Sequence, residues 1–569
     1  MKKTTILSAA LALVLSATGC YDLERYPSDQ LSSGTFWKTQ SQADMAMMGT
    51  YSIMQRFNVF GIQPAMDNLG GIGLARGVYG YQPFVTGTYD VTNSYVSGKW
   101  SNLYEGIARC NIALQNLDQV EMSDALKAQY KGEAHFLRGL YYFSLLDFFG
   151  GVPIYDESTI LATEYSEMKK PRSSADEVRK FVLDDFEAAF QTLPEAWDDA
   201  NTGRATKYAA LAFKGKVYLY NKQYTEAKKC FEDLIETHKY ELYPDYAGLF
   251  VPGGDESSEM IFAIQNMGGV GTDYGMPLCF YMGTRASFGS CWNNVMASVS
   301  FVDSYEYKDG RPFNWDELFP GFSTSNDKKK EVFNSTFSGS TLTKYPDAKP
   351  QLLAMYDQRD PRMKASIILP YTQYLGWYSN APAMHEYVLP TQGRTAGSGY
   401  IKTDGNFDTY LWRKFVPEGN MDGQINNRED TPINFPLMRY ADVLLMLAEC
   451  KNELNDQEGA VALINEVRNR PTVEMPALNS GPAYLAANTK EEVFQRIRHE
   501  RAVELAAEGH SFSDMKRWGL LNELNGRNEC HITGKVIYTR VVTDRDYLWP
   551  IPSAEIEKNP ALAPNNPGW

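Results

Sequence analysis

Histidine and cysteine are scarce in this chain, with 6 and 7 residues among 569, and neither occurs in a pattern that carries chemistry. No CxxC pair and no metal-ligand spacing is present, which leaves out zinc ribbons and dithiol redox motifs. His499 and Glu500 open no HExxH motif, because Val503 takes the place of the second histidine. A GxSxG elbow and a phosphate-cradling glycine loop are missing too. Positive charge is in deficit: 55 Lys and Arg face 70 Asp and Glu, a net −15, and such a surface does not hold nucleic acid or another polyanion by bulk charge. Beyond residue 20 no apolar run reaches the roughly 20 residues that a membrane-crossing helix needs. The expectation is a non-enzyme without catalytic residues, metal or cofactor, binding something neutral or locally read.

The apolar run at the N-terminus has a different meaning. Lys2 and Lys3 precede Ile6 to Leu15, and the small residues Ala17, Thr18 and Gly19 lead into Cys20. This is an export leader over residues 1–20 with a lipobox-like end, although an ordinary leader followed by an incidental cysteine gives a similar pattern. Lipidated on more than one chain, Cys20 would hold residues 21–569 on a bilayer surface. The other cysteines are Cys110, Cys230, Cys279, Cys291, Cys450 and Cys530; in an oxidising compartment Cys279 and Cys291 are close enough in sequence to pair.

Residues 21–569 read as one mainly α unit with helical ends, about 21–250 and 435–569, and an irregular segment of loops and short strands, about 250–435, packed on them. From Trp100 to Phe149 apolar residues recur at helical spacing until Gly150, Gly151 and Pro153 stop them. Further helices are expected at 174–192, 205–220, 224–237, 439–454, 457–469 and 490–509. Gly215, Tyr218, Ala227 and Phe231 follow the tetratricopeptide spacing, and Ala448, Ala460 and Ile464 repeat its interval. Such a helix-hairpin scaffold is a frame, and function belongs to the loops it carries.

Those loops are rich in aromatics: 36 of the residues are Tyr and 13% are Phe, Trp or Tyr. A sugar ring has an apolar C–H face and a rim of hydroxyls, so a glycan site pairs flat rings with amides, carboxylates or arginines. Three stretches offer that mixture. The first holds Asp67, Asn68, Arg76, Tyr79 and Tyr81; the second, Cys279 to Asn294, holds Phe280, Tyr281, Arg285, Trp292 and Asn293; the third holds Tyr371, Tyr374, Trp377 and Tyr378. Every one of these rings has a plainer reading as an anchor packing its loop to the scaffold.

Four longer stretches carry a resemblance. GEAHFLRGLYYFSLLDFFGGVPIY (Gly132 to Tyr155), FPLMRYADVLLMLAEC (Phe435 to Cys450), IRHERAVELAAEGHSFSDMKRWG (Ile497 to Gly519) and YLWPIPSAEIEKNPALAPNNPGW (Tyr547 to Trp569), with YDQRDPRM (Tyr356 to Met363), are similar, in order, to the SusD/RagB family of outer-membrane nutrient-binding lipoproteins. The resemblance implies four tetratricopeptide-like units, display at the outer-membrane surface on a lipid anchor, and work with a SusC-like TonB-dependent transporter. It further implies that ligand lies on aromatics drawn from an early loop, here Tyr79 and Tyr81, and from the segment ahead of the turn Asp303 to Arg311, where Trp292 falls. The tryptophan that starch-binding members carry in the early loop is absent here.

The expected ligand-binding residues are thus Trp292, Tyr81, Tyr79, Tyr281, Asn293, Asp67, Asn68, Arg76 and Trp377, with an oligosaccharide as ligand. A peptide is the alternative ligand, since some relatives take peptides; a lipid-anchored glycoside hydrolase is a third reading, but no carboxylate pair across a cleft is evident. Glu500, Glu504 and Glu508 repeat every four residues along the last expected helix. That row repels itself unless cations such as Arg498, Arg501 or Arg439 neutralise it, so it reads as a buried ion network.

Overall fold

The computed structural model describes residues 36–160, 168–269 and 275–569. The leader and Cys20 lie outside the described residues. The scaffold helices are α1 (Gln40–Tyr51), α2 (Ser94–Asn116), α3 (Asp124–Phe149), α4 (Ala175–Thr192), α5 (Lys207–Tyr220), α6 (Tyr224–Ile235), α7 (Tyr440–Glu453), α8 (Gln457–Arg468), α9 (Lys490–Glu504) and α10 (Ser511–Arg517). Local chemistry sets their ends. Ser174 and Glu177 form a reciprocal capping box at the start of α4, as do Thr489 and Glu492 at the start of α9. Gly150, at φ +71°, closes α3 where the sequence placed its stop.

Consecutive helices pack against one another, and small residues set how closely they approach. A Cβ on Gly215 of α5 would lie 2.6 Å from the Phe231 ring of α6, and one on Gly106 of α2 would lie 2.6 Å from Tyr141 of α3. Glycine is required at both places for the facing aromatic to fill the gap, which is the physical content of the repeat spacing. Ala448, Ala460 and Ile464 are fully buried in the corresponding α7–α8 pair.

Six two-stranded ladders are described; those that matter here involve β1 (Gly73–Ala75), β2 (Met260–Ile264), β3 (Val295–Ala297), β4 (Gln373–Tyr378), β5 (Ala381–Glu386) and β6 (Phe435–Arg439). β2 pairs antiparallel with β6, joining the two ends of the irregular segment. Phe262 of β2 meets Phe136 of α3 edge-on with centroids 4.7 Å apart, and Phe136 also meets Phe186 and Phe213 at 5.8 and 5.7 Å. The segment therefore shares its core with the helices. Besides loops and strands it contains short helices, including Asn326–Phe333 and Lys349–Tyr356, which are too brief for helical periodicity to reveal.

The last long helix is shorter than its sequence pattern. α9 ends at Glu504, and Ala507 and Gly509, at φ +64° and +77°, turn the chain so that Glu508 lies past the helix. The glutamate row is nonetheless a buried network. Arg362 donates to Glu500 and Glu504 at 2.9 and 3.0 Å, Arg439 to Glu259, Glu504 and Glu508 at 2.7 to 3.1 Å, and Arg470 to Glu259 and Glu504 at 2.6 to 3.2 Å. Arg468 pairs with Glu500 and Glu306. Of the expected cations only Arg439 takes part. Arg501 pairs instead with Asp442 and Asp514, and Arg498 with Glu523, since both leave α9 on other faces.

Candidate functional site

The early loop and the second aromatic loop are far apart in sequence, and one short ladder joins them. β1 pairs antiparallel with β3 in the register Gly73 to Ala297 and Ala75 to Val295. The residues that follow β1 therefore meet those that precede β3: Arg76 N–H donates to Asn294 O at 2.9 Å, and Asn294 Nδ2 returns a bond to Arg76 O at 3.0 Å. Gly80 packs against the Asn294 carbonyl so closely that a Cβ would sit 2.2 Å from its oxygen.

The second loop folds back on itself. It begins as the helical turn Leu278–Met282, and Trp292 N–H donates to Phe280 O at 2.9 Å while Asn293 N–H donates to Gly283 O at 2.8 Å. Trp292 thereby lies against Phe280 at a tilt of 46°, with centroids 4.4 Å apart, and Tyr79 lies 5.2 Å from Tyr281 and 5.8 Å from Trp292. Phe57 joins from below, 5.3 Å from Tyr281 and 5.6 Å from Tyr95. Tyr79 is the outermost ring, 38% exposed; Trp292 is half-buried, and Tyr281 and Phe280 are buried behind them at 9% and 4%. Tyr79 and Trp292 thus form the outer surface and the other rings support it.

A polar edge runs along this group. Arg76 donates to Trp292 O at 2.7 Å and forms an ion pair with Asp404, whose other oxygen accepts from Arg285 at 2.7 Å. Burial opposes ionisation of Asp404, but Arg285 and Arg76 outweigh it and hold the carboxyl below its ordinary value. All three side chains keep a fifth to a third of their surface open. The guanidinium of Arg428 covers the Phe280 ring at 4.2 Å and is tied to Gly289 O and Ser290 O at 2.8 Å. The arrangement presents rings for an apolar face beside donors and an acceptor for hydroxyls.

Several expected residues do not reach this surface. Asp67 is fully buried and accepts from the N–H groups of Gly509 and Ser511 and from the Ser511 hydroxyl; burial pushes its carboxyl up to about 7 despite those donors. Asn68 is also fully buried, donating to Gly80 O at 2.9 Å, so both residues tie loops to the scaffold. Tyr81, 2% exposed, packs among Phe84, Tyr95 and Trp549 as an anchor. Asn293 is buried at φ +40°, and its Oδ1 accepts from Asp404 N–H at 2.6 Å, so it positions the acid from behind. Trp377, on the β4–β5 hairpin, is half-buried against Phe288 at 5.4 Å and does not join the Tyr79–Trp292 group. Tyr371 and Tyr374 in the same stretch are buried; Tyr374 donates to Ser287 and Pro417 O, and both act as anchors.

Sequence reasoning passed over Phe57, Tyr95, Asp404 and Arg428. Nothing local distinguishes them: Phe57, Asp404 and Arg428 become relevant only through partners more than a hundred residues away in sequence, and Tyr95 only through its contact with Phe57. Among the described residues no group of three or more His, Cys, Asp or Glu is placed to hold a metal ion. Two cavities, of about 860 and 880 Å³, lie elsewhere. The first borders Arg362 and Lys414, whose charges are already taken by Glu500, Glu504 and Glu508. An extended oligosaccharide, the expected ligand, would need an open platform rather than a cavity, which makes the aromatic face the candidate for it.

Comparison with known proteins places this architecture. Residues 258–569 match the SusD family, and residues 76–219 match a family described as starch-binding, associating with outer membrane. The chain belongs to the SusD family. It is 27% identical to SusD-like protein P38 of Formosa agariphila over the full length of both chains, and 24% identical to starch-binding protein SusD of Bacteroides thetaiotaomicron, covering 79% of this chain and 75% of that one. Its fold is also that of a SusD-like carbohydrate binding protein of Bacteroides fragilis, with a TM-score of 0.72 at 24% identity, covering 93% of this chain and all of the other.

Proposed function

We propose that this chain captures a neutral oligosaccharide on the face formed by Tyr79 and Trp292, without cleaving it, and passes it to a SusC-like TonB-dependent transporter. The observation that carries the reading is the convergence of Tyr79, Tyr281 and Trp292 from two remote loops, edged by Arg76, Asp404 and Arg285. A sugar stacked on Tyr79 and Trp292 would lie beside the guanidinium groups of Arg76 and Arg285 and the Asp404 carboxylate. A starch-binding relative and a carbohydrate binding protein of the same fold support the ligand class. Glycan-array binding of the soluble chain is the direct test. Retention of a neutral polysaccharide is expected; binding of peptides and of no glycan would overturn the reading.

Delivery needs a second protein. Among the described residues no helix is long and apolar enough to cross a membrane, and in this reading a transporter carries the ligand onward. Anchored through Cys20, the chain would be held near that transporter while remaining free to tilt over it. Mild detergent extraction of cells growing on the ligand is expected to recover a large TonB-dependent β-barrel with this chain; recovery of the chain alone would argue for a free-standing adhesin.

The anchor itself gives a separate prediction. Cys20→Ala removes the thiol that would take the lipid, so the variant should lose its acyl label and its own hold on the bilayer, and only the share bound to the transporter should stay with the membrane fraction. Fractionation with metabolic acyl labelling measures this. Continued lipid labelling of the variant would show that the anchor is elsewhere.

A further inference from the structure

Two cysteines bracket the loop that builds the aromatic face, and each directly precedes a ring of the cluster. Cys279 is followed by Phe280 and Tyr281, and Cys291 by Trp292. Their Sγ atoms lie 3.5 Å apart and both residues are fully buried, forming a small apolar group with Ile425, flanked by Phe288 and Met421.

Backbone bonds fix the segments that carry them. Cys279 N–H donates to Thr431 Oγ1 at 2.8 Å, Cys291 N–H to Thr284 O at 2.9 Å, and Trp292 N–H to Phe280 O at 2.9 Å. The sulfurs therefore face each other because the loop is folded that way, at 3.5 Å against the roughly 2.0 Å of a disulfide bond. As free thiols they have little use here: burial pushes the Cys291 thiol well above its ordinary range, so it is a poor thiolate, and neither sulfur is open to a reagent.

We propose that Cys279 and Cys291 are joined as a structural disulfide in the exported chain, and that this bond holds Tyr281 and Trp292 in a single platform. The bond closes during folding, before both sulfurs are buried. The two thiols pass two electrons and two protons to the disulfide of a thiol–disulfide oxidoreductase in the exporting compartment; an S–S bond forms here, the donor's S–S bond breaks, and the donor leaves as a dithiol. Bridging positions 12 residues apart restricts the unfolded loop, and it removes from the bound state the cost of ordering two separate strands of the platform. The pairing stands independently of the ligand; its role in the platform rests on the glycan reading above.

The test uses the exported chain, purified without reductant and with free thiols blocked. Non-reducing proteolysis and mass spectrometry are expected to find the Cys279 and Cys291 peptides linked, with Cys110, Cys230, Cys450 and Cys530 alkylated in denaturant. All six alkylated, or a linked pair made of other cysteines, would overturn the bond. The double variant C279A/C291A fills the site with apolar side chains, and is expected to melt a few degrees lower and to bind the array-identified glycan about tenfold more weakly. A folded double variant with unchanged affinity would overturn the platform role. If no glycan binds even the parent chain, the proposed function fails while the peptide map still decides the disulfide.

Discussion

Arg439→Ala is expected to abolish soluble folded protein or to lower its melting temperature drastically. Arg439 is fully buried and its guanidinium engages Glu259, Glu504, Glu508 and the Glu504 carbonyl, so its removal leaves three carboxylates in the core with their shared cation gone. Breaking one buried pair costs about 3 to 5 kcal/mol, and native proteins have only about 5 to 15 kcal/mol to lose. Arg439→Lys should be intermediate, because an ammonium keeps the charge but cannot reproduce the fork. Arg498→Ala is the control: its partner Glu523 is 52% exposed, and loss of that pair should cost less than about 1 kcal/mol. Thermal unfolding followed by circular dichroism distinguishes the three. An Arg439→Ala protein as stable as the Arg498→Ala protein would show that the network is not what holds α9 to β6.

The same network sets an acid limit. Burial raises the Glu500 carboxyl, but Arg362 and Arg468 outweigh it and bring it down from its ordinary 4.5 to about 2; the carboxyls of Glu504 and Glu508 are also lowered. A carboxyl whose value is lower folded than unfolded stabilises the fold fully above its unfolded value and loses that contribution as pH falls through the folded one. This contribution should therefore be complete above about pH 5 and disappear between there and about 2. In Arg468→Met that part of the acid slope should be shallower, as read from chemical denaturation at several pH values.

The helical frame was legible because its signals are local. Caps, glycine stops and apolar spacing lie within one or two turns of the helices they define, and Gly215 with Phe231 could be paired from spacing alone. The irregular segment offered aromatics but not their partners. Tyr79 and Tyr81 stand two residues apart on one glycine-rich loop, and nothing local says which faces out; the left-handed turn at Tyr81, φ +61°, sends that ring inward against Trp549. Asp67 and Asn68 looked like ligand groups because polar residues near glycines often are, yet they are the posts from which the loops hang. The polar edge could not be assembled from sequence, since Arg76 and Asp404 are 328 positions apart. The family resemblance pointed to Trp292 and the early loop together, and the structure sets Trp292 and Tyr79 side by side.

Trp292→Ala should weaken glycan binding about 5- to 140-fold while leaving the fold intact. Stacking of a flat ring on an aromatic contributes about 1 to 3 kcal/mol by analogy with bases on aromatic side chains, and each 1.4 kcal/mol is tenfold in affinity. The substitution removes the ring without removing the Trp292 carbonyl that holds Arg76, so the polar edge stays in place and the loss reports stacking. Tyr79→Ala should act in the same direction, since Tyr79 is the more exposed of the two outer rings and has least to do with the core. Arg76→Ala removes a donor and also frees one oxygen of Asp404, so its effect should combine lost hydroxyl contacts with a reorganised edge. Trp377→Ala, on a hairpin whose ring contact is Phe288, should bind almost as the parent does. Titration calorimetry on folded variants separates these cases. Undiminished affinity in Trp292→Ala together with a large loss in Trp377→Ala would move the ligand to the β4–β5 hairpin, and the convergence of Tyr79, Tyr281 and Trp292 would then be read as loop packing.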